Sequence, residues 1–252
     1  GNYTNTKSVD IFMQRSRIDY PQADLLKAMM GADPMFTGEP GAQWAYSNTA
    51  FVLLGIVIEK VTGKPFAETF KPNLFARAGL TRTAVDDNAE VVPNRASGYS
   101  PSAAAPSGFV NGSYISMTYP GAAGNMRSTS EDLCRWHEAL FGGRILSAAS
   151  LKQMTAPAKL ANGQTPTAVM SADGKPVPIN YGMGLFLDSD AHGQSISHGG
   201  GIQGFSSWIG SYPDAGLRIA YIVNADGGYD GKSKLGEMEK DLRDAAVKAA
   251  FA

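Results

Sequence analysis

The chain has 252 residues, of which 43% are hydrophobic and 18% are charged, and its formal net charge is -1. This length allows one large domain or two smaller ones, and the composition excludes a disordered chain. The near-neutral charge predicts neither a nucleic-acid partner nor a polybasic membrane surface. Because Cys134 is the single cysteine, no disulfide can form within the chain.

Helices separated by loops are predicted for the first part of the chain. A proline in the first turn favours a short helix over residues 21–30. Residues 48–61 are apolar nearly all round, which predicts a central buried helix that ends at Gly63. A less regular helix, interrupted at Pro72, is predicted for residues 65–76.

A capping box predicts the start of the next helix. Ser128 and Glu131 form an S-x-x-E pattern, and apolar residues follow at helical spacing as far as Gly142. His137 lies at the edge of this apolar stripe, so we expect a packed helix residue rather than a ligand. A further short helix is predicted for residues 147–154.

The character of the sequence changes from helix to strand near residue 179. Two loops precede the change, residues 96–126, which carry no charge, and residues 157–178. Short strands are then predicted at residues 181–188, 194–198, 205–212 and 217–223. A turn at residues 213–216 is predicted to join the last two strands into a hairpin, and His192 is predicted at the tip of another hairpin. Residues 234–251 are predicted to form an amphipathic helix with Met238 and Leu242 on its apolar stripe.

This order of elements predicts an α+β fold in which helices cover an antiparallel sheet. The expected division is a mainly helical region with long loops, residues 1–178, followed by strands and a C-terminal helix, residues 179–252.

Several kinds of site are not expected. The three histidines lack the H-E-x-x-H spacing and the lone cysteine cannot build a thiolate site, so no metal and no cofactor are predicted. The chain has no G-x-S-x-G motif, and the glycine-rich residues 227–233 lack the spacing of a phosphate-binding loop. Residues 40–58 carry no charge but are too polar in their first half to predict a membrane span.

Two short segments are candidates for function. Tyr46, Ser47 and Asn48 stand at the entrance of the most apolar helix, where Ser and Asn can serve simply as a helix cap. A run of glycines after His198, residues 199–201, marks a bulge or a close approach by another backbone or a ligand. Taken alone, a turn is sufficient to explain the second segment.

Together with their surroundings, these segments resemble the serine β-lactamase-related family, which includes class C β-lactamases, D-alanyl-D-alanine peptidases and family VIII esterases. The segments that carry the resemblance occur in the family's order, at residues 40–48 with 54–63, 121–133, 181–185, 198–205 and 213–214. The resemblance implies a penicillin-binding-protein-like fold and acyl transfer through a serine ester.

One departure from the family pattern bears on activity. The family's nucleophile is the serine of an S-x-x-K motif upstream of Tyr-x-Asn, and no S-x-x-K occurs in the sequence. Thr4 and Lys7 have the spacing of that motif but lie in a polar segment, where chance explains them better. Two early strands of the family pattern are also missing. We therefore expect a fragment without its N-terminal strands and nucleophile helix, inactive by itself.

The resemblance also implies roles for the polar residues of the first segment. Tyr46 becomes the candidate acid/base, which shares proton transfer with the lysine of S-x-x-K. A tyrosine with an ordinary pKa near ~10 needs a nearby cation to act as a phenolate. Asn48 matches the residue that hydrogen-bonds the substrate amide and the catalytic lysine, since its carboxamide both donates and accepts.

The glycine run matches the family's Lys-Thr-Gly position. His198 replaces the lysine and would be mostly neutral near pH ~7. Gly199 lacks the hydroxyl that could hold a β-lactam carboxylate. Gly200 would let the substrate lie against the strand, and the N–H of Gly201 matches one donor of the oxyanion hole.

These roles predict a serine hydrolase of small esters, peptides or β-lactams, and the weaker charge at His198 favours an esterase or peptidase over an efficient β-lactamase. The alternative is a non-catalytic binding or scaffolding member of the same fold. The resemblance suggests a periplasmic or secreted bacterial location. A missing nucleophile helix would expose apolar surface, which predicts self-association.

Overall fold

A computed structural model of the chain describes residues 16–20, 22–30, 38–169, 174–227 and 234–252. Thr4 and Lys7, and most of the glycine-rich segment at residues 227–233, lie outside this described part. Its α-helices are α1 (Gln22–Met30), α2 (Asn48–Thr62), α3 (Phe66–Phe70), α4 (Ala76–Ala78), α5 (Ser130–Phe141), α6 (Ala148–Met154) and α7 (Lys234–Ala250). A π-helical turn, Lys71–Phe75, joins α3 to α4 and contains the predicted interruption at Pro72.

The strands include three short pairs and one larger sheet. Their bounds are β1 (Ala84–Val85), β2 (Tyr99–Pro101), β3 (Phe109–Asn111), β4 (Met126–Arg127), β5 (Thr167–Val169), β6 (Pro176–Pro178), β7 (Phe186–Asp190), β8 (Gly193–Ile202), β9 (Phe205–Tyr212) and β10 (Leu217–Val223). The pairs β2–β3 and β5–β6 fall within the two segments for which only loops were predicted.

The four long strands form an antiparallel sheet in the order β10-β9-β8-β7. The predicted hairpin turn is confirmed: a 3₁₀ turn, Pro213–Ala215, joins β9 to β10, and Gly216 follows it with a φ of 66°. His192 lies in the turn between β7 and β8, as predicted. The strand predicted from residue 181 begins later, at Phe186, because residues 182–185 form a turn that is closed by a bridge between Tyr181 and Phe186.

Helices cover both faces of this sheet. On one face, Leu187 and Ile196 pack against residues of α5 and α6, namely Phe141 and Met154. On the other face, the Arg243 guanidinium of α7 lies 5.2 Å from the ring centroid of Trp208. The predicted α+β architecture of an antiparallel sheet flanked by helices is therefore confirmed.

The apolar stripe predicted for the last helix is not the face that packs on the sheet. Met238 and Leu242 are each 51% exposed. The helix instead approaches the sheet through buried Gly236 and Glu239, and Tyr221 donates a hydrogen bond to Oε2 of Glu239 over 3.1 Å. A buried polar contact therefore sets the rotation of the helix, which a count of apolar positions does not predict.

The predicted capping box at the start of α5 is wrong by one residue. The N-cap is Thr129, whose hydroxyl accepts a hydrogen bond from the backbone N–H of Asp132 over 3.2 Å. The hydroxyl of Ser128 instead lies 2.8 Å from that of Thr83. The end of the helix at Gly142 and the burial of His137 agree with the prediction.

The prediction of a buried helix at residues 48–61 is also wrong for much of its surface. Only Val52 and Gly55 are buried in α2, although the helix ends with a left-handed Gly63, as predicted. Gly55 packs so closely on Ala122 that a Cβ at this position would lie 2.5 Å from the alanine side chain. The helix therefore buries only a narrow face against the described residues, and its apolar side chains Leu53, Leu54, Val57 and Val61 are exposed.

Candidate active site

The segment that carries Tyr46 and Asn48 is fixed by the cap of α2. Ser47 has an extended backbone, with φ of -145° and ψ of 105°, and its hydroxyl accepts a hydrogen bond from the N–H of Ala50 over 3.2 Å. Ser47 is thus the helix cap, in agreement with the simpler interpretation of this residue. Neither neighbour serves as the cap: Tyr46 is 39% exposed and Asn48 is half-buried in the first turn of the helix.

The glycine run lies inside β8 rather than in a turn. Gly199, Gly200 and Gly201 pair with Trp208, Ser207 and Ser206 of β9. The predicted end of the strand at residue 198 is therefore wrong, because pairing with β9 continues as far as Ile202. On the opposite side, pairing with β7 stops at Ser197. Beyond Ser197, that edge of β8 has no partner strand among the described residues.

The register of the sheet decides which backbone groups face this open edge. Ile202 and Phe205 flank a two-residue turn, so they form a hydrogen-bonded pair. Because hydrogen-bonded pairs recur at every second residue of an antiparallel ladder, the residues at positions 200 and 198 also exchange hydrogen bonds with their partners on β9. By this alternation, Gly199 and Gly201 direct their N–H and C=O groups away from β9 and toward the open edge. Because the glycines at residues 199–201 have no side chains, that edge is accessible to another extended chain.

His198 lies at the start of the open edge and uses both ring nitrogens. Nδ1 lies 2.6 Å from the carbonyl oxygen of Gly199, and Nε2 lies 3.0 Å from the hydroxyl of Tyr181. Burial lowers the pKa of His198 below its ordinary value, and the hydrogen bond to the Gly199 carbonyl opposes this shift. The direction agrees with the expectation of a neutral side chain.

The structure brings Tyr46 against His198. The centroids of their rings are 6.1 Å apart and the ring planes differ by 35°. The two residues are separated by about 150 positions in the sequence. They meet because the segment before α2 lies beside β8. Asn48 enters the same region two residues after Tyr46, at the first turn of α2.

Tyr181 also belongs to this group, although no role was predicted for it. Its side chain is 8% exposed, and its ring contacts the rings of Trp44 and Phe186 at centroid distances of 5.6 and 4.8 Å. Trp44 comes from the segment that leads to Tyr46, so Tyr181 connects that segment to β8. The available signal was the Tyr-Gly-Met-Gly pattern at residues 181–184.

The turn that ends the glycine run is held by an acidic residue after β10. Asp226 accepts hydrogen bonds through Oδ2 from the N–H of Gly204, over 2.8 Å, and from the hydroxyl of Ser100, over 2.7 Å. Gly204 has a φ of 82°, and a Cβ there would lie 2.7 Å from the Cα of Gly98. This close backbone crossing fixes the position of the open edge relative to the segment at residues 97–112.

The described residues also limit what else the site can bind. Nowhere in this part of the chain do three His, Cys, Asp or Glu side chains stand together as metal ligands would. Within the same residues, no helix combines the length and the apolar character that crossing a membrane requires. The polar groups described around His198 are hydroxyls, an imidazole, an amide and backbone groups.

Comparison with known proteins places this arrangement in a family. The beta-lactamase family model matches residues 9–239. Penicillin-binding protein 4* of Bacillus subtilis is 31% identical over 199 residues, which are 75% of this chain and 41% of that protein. A D-aminopeptidase of Gluconobacter oxydans is 26% identical over 67% of this chain and 29% of its own length.

Solved structures agree with this comparison. A D-stereospecific amidohydrolase from Streptomyces sp. superposes with a TM-score of 0.71 at 32% identity, covering 89% of this chain and 64% of that one. A D-amino acid amidase from Ochrobactrum anthropi gives 0.72 at 25% identity, covering 93% of this chain and 65% of that one. The chain thus spans less than half of the two curated relatives and about two thirds of the two solved ones. Given a match over most of its length, the chain belongs to the beta-lactamase family.

Proposed function

We propose that this chain carries one half of the active site of a serine hydrolase, whose nucleophilic serine and lysine lie in a segment that the present sequence does not include. The observation that carries the proposal is the meeting of Tyr46 with His198 beside an open strand edge made of glycines. Family relatives that are hydrolases support it. The reaction would be acyl transfer through a serine ester, followed by hydrolysis.

Each group at this edge would serve a step of that reaction. Tyr46 would take the proton of the attacking serine and return one to the leaving group. It needs a cation for this, and the neutral His198 does not provide one, so the cation would be the lysine of an S-x-x-K segment. Asn48 would hold the substrate carbonyl or amide, and the N–H of Gly201, which faces the open edge, would donate to the developing oxyanion.

The substrate class follows from the edge of β8. Gly199 carries no hydroxyl and His198 carries no fixed charge, so neither of these residues offers a side-chain partner for a substrate carboxylate. We therefore favour small esters and amides over β-lactams. The relatives named as a D-aminopeptidase and a D-amino acid amidase support the inclusion of D-amino acid amides and peptides. A periplasmic or secreted location belongs to the same proposal.

Covalent labelling tests this proposal directly. A fluorophosphonate should give no adduct in the intact mass of the present chain, and one adduct on a longer protein that joins this chain to an S-x-x-K segment. That longer protein should hydrolyse short p-nitrophenyl esters and D-amino acid p-nitroanilides faster than a chromogenic cephalosporin. An adduct on the present chain would contradict the absence of the nucleophile, and faster cephalosporin hydrolysis would contradict the substrate class.

A matched pair of variants distinguishes a catalytic role of the Tyr46 hydroxyl from a structural one. In the longer protein, Tyr46→Phe should slow labelling by about 10²–10⁴-fold, the usual range for loss of an acid/base group. Tyr114→Phe removes the same hydroxyl from an exposed tyrosine and should leave the rate unchanged. Failure of the longer protein to label at all would favour a non-catalytic binding module.

A further inference from the structure

We propose that Tyr181 is a positioning residue, which holds His198 as the neutral Nδ1–H tautomer and thereby restricts the open edge of β8 to uncharged substrate ends. This inference deepens the proposed function, and the part of it that concerns substrate selectivity rests on that proposed function. The tautomer itself, however, is a property of the present chain and is measurable without any activity.

The hydrogen-bond partners of His198 assign its tautomer. The carbonyl oxygen of Gly199 can only accept, so the nitrogen 2.6 Å away, Nδ1, carries the hydrogen. In a neutral imidazole the other nitrogen is then an acceptor. The hydroxyl of Tyr181, 3.0 Å from Nε2, must therefore be the donor.

The hydroxyl of Tyr181 is held in place by the surrounding aromatic rings. Phe186 packs edge-on against the Tyr181 ring, and Trp44 approaches it from another side. The ring is also close to His198 itself, with centroids 6.0 Å apart. A ring confined in this way keeps the Tyr181 hydroxyl within hydrogen-bond distance of Nε2.

A donor on Nε2 opposes protonation of that nitrogen, because the same lone pair would have to accept the proton. Burial acts in the same direction and lowers the pKa of His198. The titratable groups that pack on this ring in the described residues are the phenols of Tyr46 and Tyr181. Burial and the Tyr181 donor therefore both favour an uncharged His198.

An uncharged His198 decides what the edge can bind. The N–H and C=O groups of Gly201 remain available to pair with an extended substrate, and Gly199 presents its carbonyl to Nδ1. A carboxylate placed here would be desolvated beside an imidazole that lacks a proton on Nε2, which is unfavourable. An ester or amide places no charge there. Tyr181 is thus a specificity residue that acts through His198.

The direct test is a titration of His198 in the present chain by long-range ¹H–¹⁵N correlation spectroscopy. The neutral form should show the chemical-shift pattern of the Nδ1–H tautomer. Tyr181→Phe removes the donor and keeps the ring, so the pKa of His198 should rise by about 0.5–1 pH unit, the equivalent of one hydrogen bond. Tyr212→Phe removes a distant hydroxyl, which bonds Asp190, and should leave the His198 titration unchanged.

Two results would overturn the inference. One is an Nε2–H tautomer in the unmodified chain, a measurement that does not depend on the folding of any variant. The other is an unchanged His198 pKa in a folded Tyr181→Phe chain. If the titration behaves as expected but the longer protein takes no fluorophosphonate, the proposed function fails while the tautomer assignment holds.

Selectivity provides the functional readout in the longer protein. Tyr181→Phe should raise kcat/KM for a carboxylate-bearing ester relative to a neutral ester at pH ~6, where more His198 becomes protonated, and should leave that ratio unaltered at pH ~8. A merely structural role would lower both rates together at both pH values. Equal losses of that kind would contradict a role for Tyr181 in specificity.

Discussion

Burial lowers the pKa of both His137 and His198, although the surroundings of the two side chains differ. His137 is 1% exposed, and its Nδ1 lies 2.7 Å from the hydroxyl of Ser211. Burial, together with the charge of Arg218, lowers the pKa of His137 from 6.5 to about 4. His198 instead borders an open strand edge, where its Nε2 is hydrogen-bonded to the Tyr181 hydroxyl and its Nδ1 to the Gly199 carbonyl.

This shift makes His137 a source of acid sensitivity. Between pH 6.5 and about 4 the unfolded chain binds a proton at this residue that the folded chain does not. The free energy of unfolding should therefore fall as pH is lowered through this window, by about 2 kcal/mol between pH ~8 and pH ~5. Urea denaturation at the two pH values measures the difference.

A pair of variants assigns this effect to His137. In His137→Gln, the fall in unfolding free energy between the two pH values should be smaller than in the unmodified chain by about 2 kcal/mol. His192→Gln replaces an exposed histidine at a hairpin tip and should keep the original dependence. An identical pH dependence in all three chains would mean that His137 does not titrate in this window.

At the residue scale, the sequence was sufficient to select those candidate residues that belong to a contiguous motif. Tyr46 and Asn48 could be predicted because they stand in a recognisable Tyr-x-Asn segment, and His198 because a glycine run follows it. Tyr181 could not be assigned a role in the same way. Its hydroxyl meets Nε2 of His198 only because the turn before β7 folds back onto β8, which no local pattern indicates.

Among the elements, α5 is tied to the preceding chain by a buried carboxylate. Asp132 is 1% exposed, and its Oδ2 accepts hydrogen bonds from the N–H of Arg82, over 2.7 Å, and the hydroxyl of Thr83, over 2.9 Å. Its backbone N–H in turn donates to the cap residue Thr129. One side chain therefore fixes both the start of the helix and the segment that packs on it.

Loss of this carboxylate should be costly. Asp132→Ala removes a buried carboxylate that accepts hydrogen bonds from the N–H of Arg82 and the hydroxyl of Thr83, and should lower the free energy of unfolding by about 3 kcal/mol. Glu131→Ala, next to it, removes a side chain that is 69% exposed and forms a surface ion pair with Arg135, and should cost no more than about 0.5 kcal/mol. Urea denaturation of both variants measures the two values. Similar losses would contradict the anchoring role of Asp132.

The elements that were predicted with the wrong boundary or burial share a physical cause. The capping box at Ser128 fitted the sequence pattern, but a tertiary hydrogen bond to Thr83 competes for its hydroxyl and the cap moves to Thr129. The glycine run fitted a turn, yet pairing with β9 keeps it extended. In each case a contact with a distant segment outweighs a local preference, and a local pattern carries no information about that contact.

For the whole molecule, the sequence was sufficient to predict the sheet and its covering helices, because alternating strands and a clear turn constrain their pairing. It was not sufficient for the distribution of exposed apolar surface. Leu53, Leu54, Val57 and Val61 of α2 are between 38% and 80% exposed and lie on one side of the helix. An apolar stripe of this kind on a folded chain usually marks a contact surface.

Among the possible occupants of this stripe, a second copy of the chain is the one that can be tested with the protein alone. Sedimentation velocity should show association that increases with protein concentration, because each copy offers the same apolar face to the other. The double variant Leu54→Lys with Val57→Lys places two charges in the middle of the stripe and should shift the chain to monomer. Val91→Lys alters a side chain that is 92% exposed and is not part of α2, and should leave association unchanged. A monomer at every concentration would mean that the stripe does not bind its own copy, whereas equal association of all three chains would place the contact on a different surface.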